Sequence, residues 1–237
     1  MTELVVLLTH GSPDPRSSQA VSRIAQAYAE AHPDTLVRVA YLQHNWPTLT
    51  AAIGRELDTG DVTRVRVQPL LLSAATHALR DVPDAVAKAE RDHRLAIAVG
   101  EPLGMDVTLI TGLDAQIPTG APVVLAWAGG RTTQAQFAAQ SLAASWAAAT
   151  GREVTLAVAS DDGEAIASAV QHLQERTGKR PHIATFTLFP GVIADQIARA
   201  GERCGVGVTT PLCELPALLD LIETRLMAKP LDGTATA

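Results

Sequence analysis

The chain has 237 residues, of which 47% are hydrophobic and only 3% aromatic, and its formal net charge is −6. Such a chain can bury the core of one large or two modest domains, whereas its negative charge and few aromatic rings disfavour a nucleic-acid partner. No apolar run approaches the ~20 residues that cross a bilayer, and no basic signal-peptide segment precedes the first apolar run, so we expect a cytoplasmic protein with no membrane partner.

Short apolar runs alternate with longer alanine-rich segments of helical period in the first half of the chain. The predicted strands lie near residues 4–9, 36–42, 64–72 and 95–99. The predicted helices lie near residues 17–31, 47–58, 80–93 and 105–115. This alternation is typical of a parallel sheet with helices on both faces.

The same alternation restarts after a linker of Pro and Gly residues at 117–122. Here the predicted strands lie near residues 122–127, 154–159, 182–188 and 206–210. An ungapped shift of 118 residues places Gly11 on Gly129 and Leu70 on Leu188, which indicates an internal repeat. We therefore predict an α/β fold of two duplicated lobes, each a four-stranded parallel sheet flanked by helices, with a cleft between them. The predicted lobes span residues 1–117 and 118–237.

The first candidate for chemistry is His10, which follows the first strand in the segment THGSPDPR from Thr9 to Arg16. In a parallel sheet the carboxyl ends of the strands form the edge where ligands bind. Gly11 permits a tight turn there, and Ser17 or Ser18 is predicted to cap the next helix. Arg16 and the helix N-terminus could together attract an anion.

Further polar side chains follow the other strands of the same sheet. His77 follows the third strand, so it is expected at the same edge as His10, and neutral imidazole is a common ligand of first-row metals. Arg80 and Asp81 come next, as a possible anion contact and a group that orients the histidine. Gln43 and His44 follow the second strand, and we expect only one of them to face the ligand because adjacent strand residues point to opposite faces.

The two halves differ at these positions. Under the shift of 118 residues, His10 falls on Ala128, Ser12 on Gly130 and His77 on Asp195. The repeat therefore predicts one active lobe, which carries the histidines, and one supporting lobe.

These residues together resemble the sirohydrochlorin chelatases of the CbiX/SirB type, the class II chelatases of tetrapyrrole biosynthesis. The resemblance rests on the HGS-x-D-P segment at 10–15, on VAYL at 39–42, on PLLLS at 69–73, and on His77 with the RDVP segment at 80–83. The segment TLFPGV at 187–192 resembles the second lobe of the long, two-lobed members.

The resemblance implies ATP-independent insertion of Fe²⁺ or Co²⁺ into sirohydrochlorin, in the biosynthesis of sirohaem or cobalamin. The divalent metal would be a substrate, the other substrate would be a small-molecule tetrapyrrole, and no organic cofactor would be needed. His10 and His77 would be the catalytic residues and the metal ligands. The substrate-binding residues would be Ser12, Arg16, Gln43 and Arg80.

One residue departs from the family pattern, because many relatives carry an acidic residue where this chain has Gln43. A neutral amide cannot act as a base and is a weaker ligand for a hard cation. This favours, as an alternative, a non-catalytic carrier of a tetrapyrrole or metal that keeps the chelatase fold. His44, Asp161 or Asp195 could also supply what Gln43 lacks.

Other functions fit the sequence less well. A chelatase acting on another tetrapyrrole is a further alternative, although the HGS and THxxRD patterns favour sirohydrochlorin. A hydrolase is disfavoured because G-x-S-x-G is absent, and a dinucleotide-binding protein because no G-x-G-x-x-G follows the first strand. Two fused lobes make a dimer unnecessary, so we expect a monomer.

Overall fold

The structure, a computed structural model, describes residues 2–60, 62–72, 80–130, 132–159 and 161–228. These residues form two compact units. The first unit comprises the described residues of Met1–Gly104 and of Leu219–Ala237, and the second comprises those of Met105–Leu218.

The first unit is a parallel sheet with helices around it. Its strands are β1 (Thr2–Thr9), β2 (Thr35–Tyr41), β3 (Val62–Pro69) and β4 (Ile97–Val99). Its first three helices are α1 (Pro15–Ala31), α2 (Leu49–Leu57) and α3 (Val82–His93). The strand order is β2-β1-β3-β4, with every pair parallel. The predicted elements are confirmed to within about three residues at most of their ends, as is usual for boundaries drawn from sequence.

The central strand β1 is buried on both faces, from Leu4 to Thr9. Continuous burial is expected of a central parallel strand, because helices cover both faces of such a sheet. Leu4, Val6 and Leu8 pack on one face against apolar residues of α2 and α3. The buried strand β1 therefore ends with Thr9 at the carboxyl edge of the sheet, and the next residue is His10.

The second unit repeats this arrangement. Its strands are β5 (Val123–Trp127), β6 (Val154–Val158) and β7 (His182–Phe186), in the parallel order β6-β5-β7. Its helices are α4 (Thr108–Asp114), α5 (Thr133–Thr150), α6 (Glu164–Thr177) and α7 (Val192–Cys204), with 3₁₀ turns at Asp161–Gly163 and Leu212–Glu214. The order of β6, β5 and β7 matches that of β2, β1 and β3, which confirms the predicted α/β fold with a sheet in each half.

The second sheet has three strands where four were predicted. The segment predicted as a strand at 206–210 makes a single parallel bridge, between Val208 and Ile183. One position further along, the hydroxyl of Thr209 accepts the N–H of Thr185 in place of a backbone carbonyl. Gly205 precedes this stretch and Gly207 lies within it, and glycine weakens a strand because it has no side chain to pack.

The strand ladders refine the repeat that the sequence predicts. Val5 pairs with Val37 in the first sheet, whereas Val123 pairs with Val154 in the second, so β6 lies 117 residues after β2 rather than 118. The ungapped alignment is therefore out of register by one residue at β6. Val5 also pairs with Arg66 in the first sheet, and Val123 pairs with His182 in the second, so β7 lies 116 residues after β3. The placement of Leu70 on Leu188 is therefore wrong by two residues.

The last helix, α8 (Ala217–Met227), begins in the second unit and ends in the first. Within the first unit, the hydroxyl of Tyr28 donates a hydrogen bond to Glu223, and burial raises the pKa of this tyrosine above its ordinary range. The guanidinium of Arg66 donates to the carbonyl of Leu226 at 3.1 Å. These contacts group the end of α8 with the first sheet, and α4 groups with the second, so the compact units differ from the halves 1–117 and 118–237. The boundary of the duplicated halves stays a prediction.

In the parts of the chain that the structure describes, no helix is long and apolar enough to cross a membrane.

Candidate functional site

His10 is the first residue of the turn that connects β1 to α1. Asp14, rather than the predicted Ser17 or Ser18, caps α1, because its carboxylate accepts the N–H of Arg16 and Pro15 occupies the first helical position. Proline is favoured there since its missing N–H would have no helical partner. The helix thus begins two residues earlier than predicted, and Ser17 is buried instead of capping.

The backbone after β2 closely approaches the backbone at His10. The N–H of Gln43 donates to the carbonyl of His10 at 2.9 Å. Gly11 has a φ of +91°, and a Cβ built on it would lie 1.9 Å from the carbonyl oxygen of Gln43. Only glycine fits this position without a shift of backbone, so the two strand-end segments are held in a fixed relation.

His44 lies beside His10, with 5.9 Å between the centres of the two rings. The prediction that Gln43 and His44 would point to opposite faces of a strand is wrong, because β2 ends at Tyr41 and the chain bends through residues 42–46. His44 itself has a φ of +63°, which is uncommon outside glycine and occurs often at functional sites. Gln43 and His44 are both exposed.

Ser12 is tied to this bend through Asn45, a residue that the sequence analysis missed. The side-chain oxygen of Asn45 accepts the N–H of Ser12 at 2.7 Å, and the hydroxyl of Ser12 accepts the N–H of Asp14 at 3.1 Å. No sequence motif signals Asn45, since its partner lies 33 residues away along the chain. The Ser12 side chain therefore helps to shape the turn.

Arg16 lies against its neighbour Asp14, with a separation of 2.6 Å between Nη2 and the carboxylate. The hydrogen bonds from Arg16 hold the pKa of Asp14 below its usual value. Both groups are near water, where such a pair contributes little to stability. The charge of Arg16 is nevertheless partly neutralised before any ligand arrives.

A cavity of about 350 Å³ adjoins Gln43. It opens between the end of β2 and the first turns of α2 and α3, with Tyr41 and Asp81 among its lining residues. Burial raises the pKa of the Tyr41 hydroxyl. The volume falls at the small end of ligand pockets, so it could take the edge of a large ligand rather than the whole of it.

The remaining predicted site residues follow β3 in the sequence. His77 lies outside the described residues, so its predicted place beside His10 stays a prediction. Arg80 is exposed just before α3, and Asp81 takes the N-cap position of α3 without a side-chain hydrogen bond to the helix. Among the described residues, no cluster of three or more His, Cys, Asp or Glu residues could hold a metal ion.

In the second unit, the segment after β5 keeps the glycine and the helix cap but not the histidine. Gly129, the counterpart of Gly11, has a φ of +81°. Thr132, the counterpart of Asp14, caps α5 through its hydroxyl. The imidazole of His10 is replaced by the methyl group of Ala128.

The sequence of this region matches a known family. A sequence model of the CbiX family matches residues 4–119, which include the turn after β1, the bend at 42–46 and the first turn of α3. A sirohydrochlorin cobaltochelatase from Methanosarcina acetivorans is 34% identical over 93 residues, which cover 38% of this chain and 71% of that protein. The chain belongs to the CbiX family.

A second relative and a solved structure are also similar to this chain. A sirohydrochlorin ferrochelatase from Bacillus subtilis is 27% identical over 112 residues, which cover 46% of this chain and 42% of that protein. The solved structure of SirB from Bacillus subtilis with Fe³⁺ has a TM-score of 0.81 at 20% identity and covers 96% of this chain and 95% of that one. This CbiX-family chain therefore shares its two-sheet fold with SirB across almost its whole length.

Proposed function

We propose that this chain inserts a divalent metal, Fe²⁺ or Co²⁺, into sirohydrochlorin without ATP, and so serves sirohaem or cobalamin biosynthesis. The observation that carries this proposal is the imidazole of His10, held at the carboxyl edge of the first sheet inside the segment that matches the CbiX family. The names of the similar proteins, a cobaltochelatase and a ferrochelatase, support the choice of reaction and of metals.

The reaction exchanges one dication for two protons. Two pyrrole N–H groups lose their protons as four ring nitrogens bind the metal, so the products are the metallated ring and two H⁺. An imidazole can hold an incoming metal ion and can also accept a proton near neutral pH. His10 and His77 are the proposed bases and temporary metal ligands.

The hydrogen bonding of His10 fits this role. Its Nδ1 lies 3.1 Å from the carbonyl oxygen of Gly11. When Nδ1–H donates to that carbonyl, the lone pair that can bind a metal or a proton is on Nε2, the arrangement usual for metal-binding histidines. His44, whose ring lies next to His10, is a further proposed group for the proton or metal.

The carboxylates of the tetrapyrrole require cationic or N–H partners. Arg80 is exposed and makes no ion pair with the described residues. It is therefore a better candidate than Arg16 for binding a carboxylate of the ring. Arg16 would have to share its guanidinium with Asp14. Ser12 and Gln43 are proposed to contact the ring periphery from the two segments that meet at Gly11.

Several further predictions accompany this proposal. The metal is a substrate, no organic cofactor is expected, and neither nucleic acid nor a membrane is an expected partner. The cytoplasm as location and the monomeric state also stay predictions.

An anaerobic metallation assay tests the proposal. The absorbance of sirohydrochlorin is followed with Fe²⁺ or Co²⁺, with and without the protein. Acceleration over the uncatalysed rate is the expected result. The neutral side chain of Gln43 favours the alternative of a tetrapyrrole carrier, and tight binding of the macrocycle with no acceleration would support that alternative against the enzyme.

A further inference from the structure

One tryptophan beside the candidate site is exposed to solvent. Trp46 has 65% of its surface exposed, whereas Trp127 and Trp146 have 4% and 0%. A single exposed apolar side chain is common on protein surfaces and needs no function of its own. A functional role for this indole therefore has to be argued from the residues around it.

The guanidinium of Arg55 lies over this indole. Its central carbon is 5.5 Å from the centre of the Trp46 ring, within the range of a cation–π contact. The adjacent carboxylate, Glu56, is bound instead by Arg38 at 2.8 Å. Arg55 makes no ion pair with a carboxylate in the described residues, so its planar set of N–H donors is available to an anion.

Trp46 lies in the same bend as one of the two imidazoles. Trp46 ends the bend at 42–46, two residues after His44, whose ring lies 5.9 Å from that of His10. Arg55 lies in the last turn of α2, the helix that follows this bend. Residues 44–55 therefore supply an imidazole, a flat apolar indole and a guanidinium that is not paired with a described carboxylate. The turn after β1 supplies the second imidazole.

We propose that Trp46 and Arg55 form a binding surface for the macrocycle. The indole stacks on the flat conjugated ring, and the guanidinium binds one of its peripheral carboxylates. This inference rests on the proposed function for the identity of the ligand, a planar polyanionic ring. Trp46 and Arg55 contribute to the affinity for the ring, whereas the histidines carry the metal and proton steps.

Titration of the protein with metal-free sirohydrochlorin under anaerobic conditions tests this surface. Trp46→Ala is expected to raise the Kd about tenfold, the size of one aromatic stacking contact, and Trp46→Phe much less because a ring remains. Arg55→Gln is expected to raise the Kd severalfold and to reduce its dependence on salt. In the metallation assay, the same variants raise KM far more than they lower kcat.

Matched controls come from exposed residues away from this surface. Phe137 is an exposed aromatic residue on α5, and Arg64 is an exposed arginine at the start of β3. Phe137→Ala and Arg64→Gln are expected to bind the ring as the wild type does. Trp46→Phe and Arg55→Gln keep the test valid if Trp46→Ala does not fold.

The two proposals fail in different ways. Wild-type Kd values for Trp46→Ala and Arg55→Gln, in a protein that accelerates metallation, would overturn the surface and leave the chelatase intact. Weaker binding by both variants, in a protein that does not accelerate metallation, would support the surface and overturn the chelatase.

Discussion

The turn after β1 and the turn after β5 both contain a glycine of positive φ, but a different side chain precedes that glycine in each. Gly11 and Gly129 both take a positive φ, of +91° and +81°. His10 precedes the first glycine, whereas Ala128 precedes the second. The comparison shows that the turn itself requires the glycine and not the histidine.

The helices that follow the two turns extend this comparison. Asp14 caps α1 and Thr132, 118 residues later, caps α5, so both halves keep a side chain that accepts a helix N–H. A capping oxygen stabilises the start of a helix because it accepts an N–H that has no partner within the helix. The residues common to both halves therefore build the fold, and those confined to the first half are the candidates for chemistry.

The largest effect is expected where the two turns differ. His10→Ala makes the first turn like the second, so the fold should be kept while kcat for metal insertion falls by roughly 10²–10⁴, the usual contribution of a positioned base. The metallation assay and a melting curve measure the two quantities. His172→Ala, at an exposed position on α6, is the matched control and should retain full activity. Equal rates for the two variants would remove His10 from the mechanism.

The next effect concerns the glycines that the turns share. Gly11→Ala places a methyl group against the backbone carbonyl of Gln43 and should lower the free energy of unfolding by roughly 2–4 kcal/mol. Gly129→Ala meets only a side-chain methyl of Val158, at 2.8 Å, so a loss of about 1–2 kcal/mol is expected. Denaturant unfolding measures both. A Gly129→Ala variant less stable than Gly11→Ala would contradict the account of this contact.

A smaller effect is expected from restoring the acidic residue that the family pattern predicts. The contacts found for Gln43 use its backbone, so Gln43→Glu should leave the bend intact. The new carboxylate can accept a proton and bind a hard cation, so kcat should rise about threefold to tenfold. Gln43→Ala is the control, and a rate for Gln43→Glu below that of Gln43→Ala would count against a role for this position in metal or proton transfer.

The smallest effect concerns the two helix caps. Asp14→Ala and Thr132→Ala should each lower the melting temperature by a few degrees at pH 7. Because hydrogen bonds from Arg16 lower the folded-state pKa of Asp14, the contribution of this carboxylate is complete above about pH 4 and is lost as the pH falls through the folded-state pKa. The difference between wild type and Asp14→Ala should therefore shrink at low pH.

Thr132 supplies the control for this pH dependence, because a hydroxyl does not titrate in that range. The difference between wild type and Thr132→Ala should be the same at pH 3 and pH 7. A loss from Asp14→Ala that does not change with pH would show that the charge of Asp14 is unimportant to the cap.

Much of the fold could be predicted because apolar runs and helical periods mark the elements directly. The sequence alone could not predict the register of the second sheet, because two connections there are each one residue shorter and apolar strands align almost equally well in neighbouring registers. The strand predicted at 206–210 is reduced to a bridge because the N–H of Thr185 donates to the hydroxyl of Thr209 instead of to a backbone carbonyl.

The candidate site was predicted in part. His10 and its turn follow from the end of an apolar strand and a glycine, both visible in the sequence. The neighbouring ring of His44 and the hydrogen bond from Ser12 to Asn45 depend on a bend that no periodic pattern marks. Contacts between segments 33 residues apart require the tertiary structure.

The central claim is that His10 and His77 form one site that moves the metal and the protons. A double-mutant cycle on kcat of anaerobic Co²⁺ insertion, with His10→Ala, His77→Ala and the double variant, tests it most directly. The account predicts a large loss in each single variant and little further loss in the double variant, because residues that act as a unit are not additive. Independent, multiplicative losses, or a wild-type rate in either single variant, would contradict it.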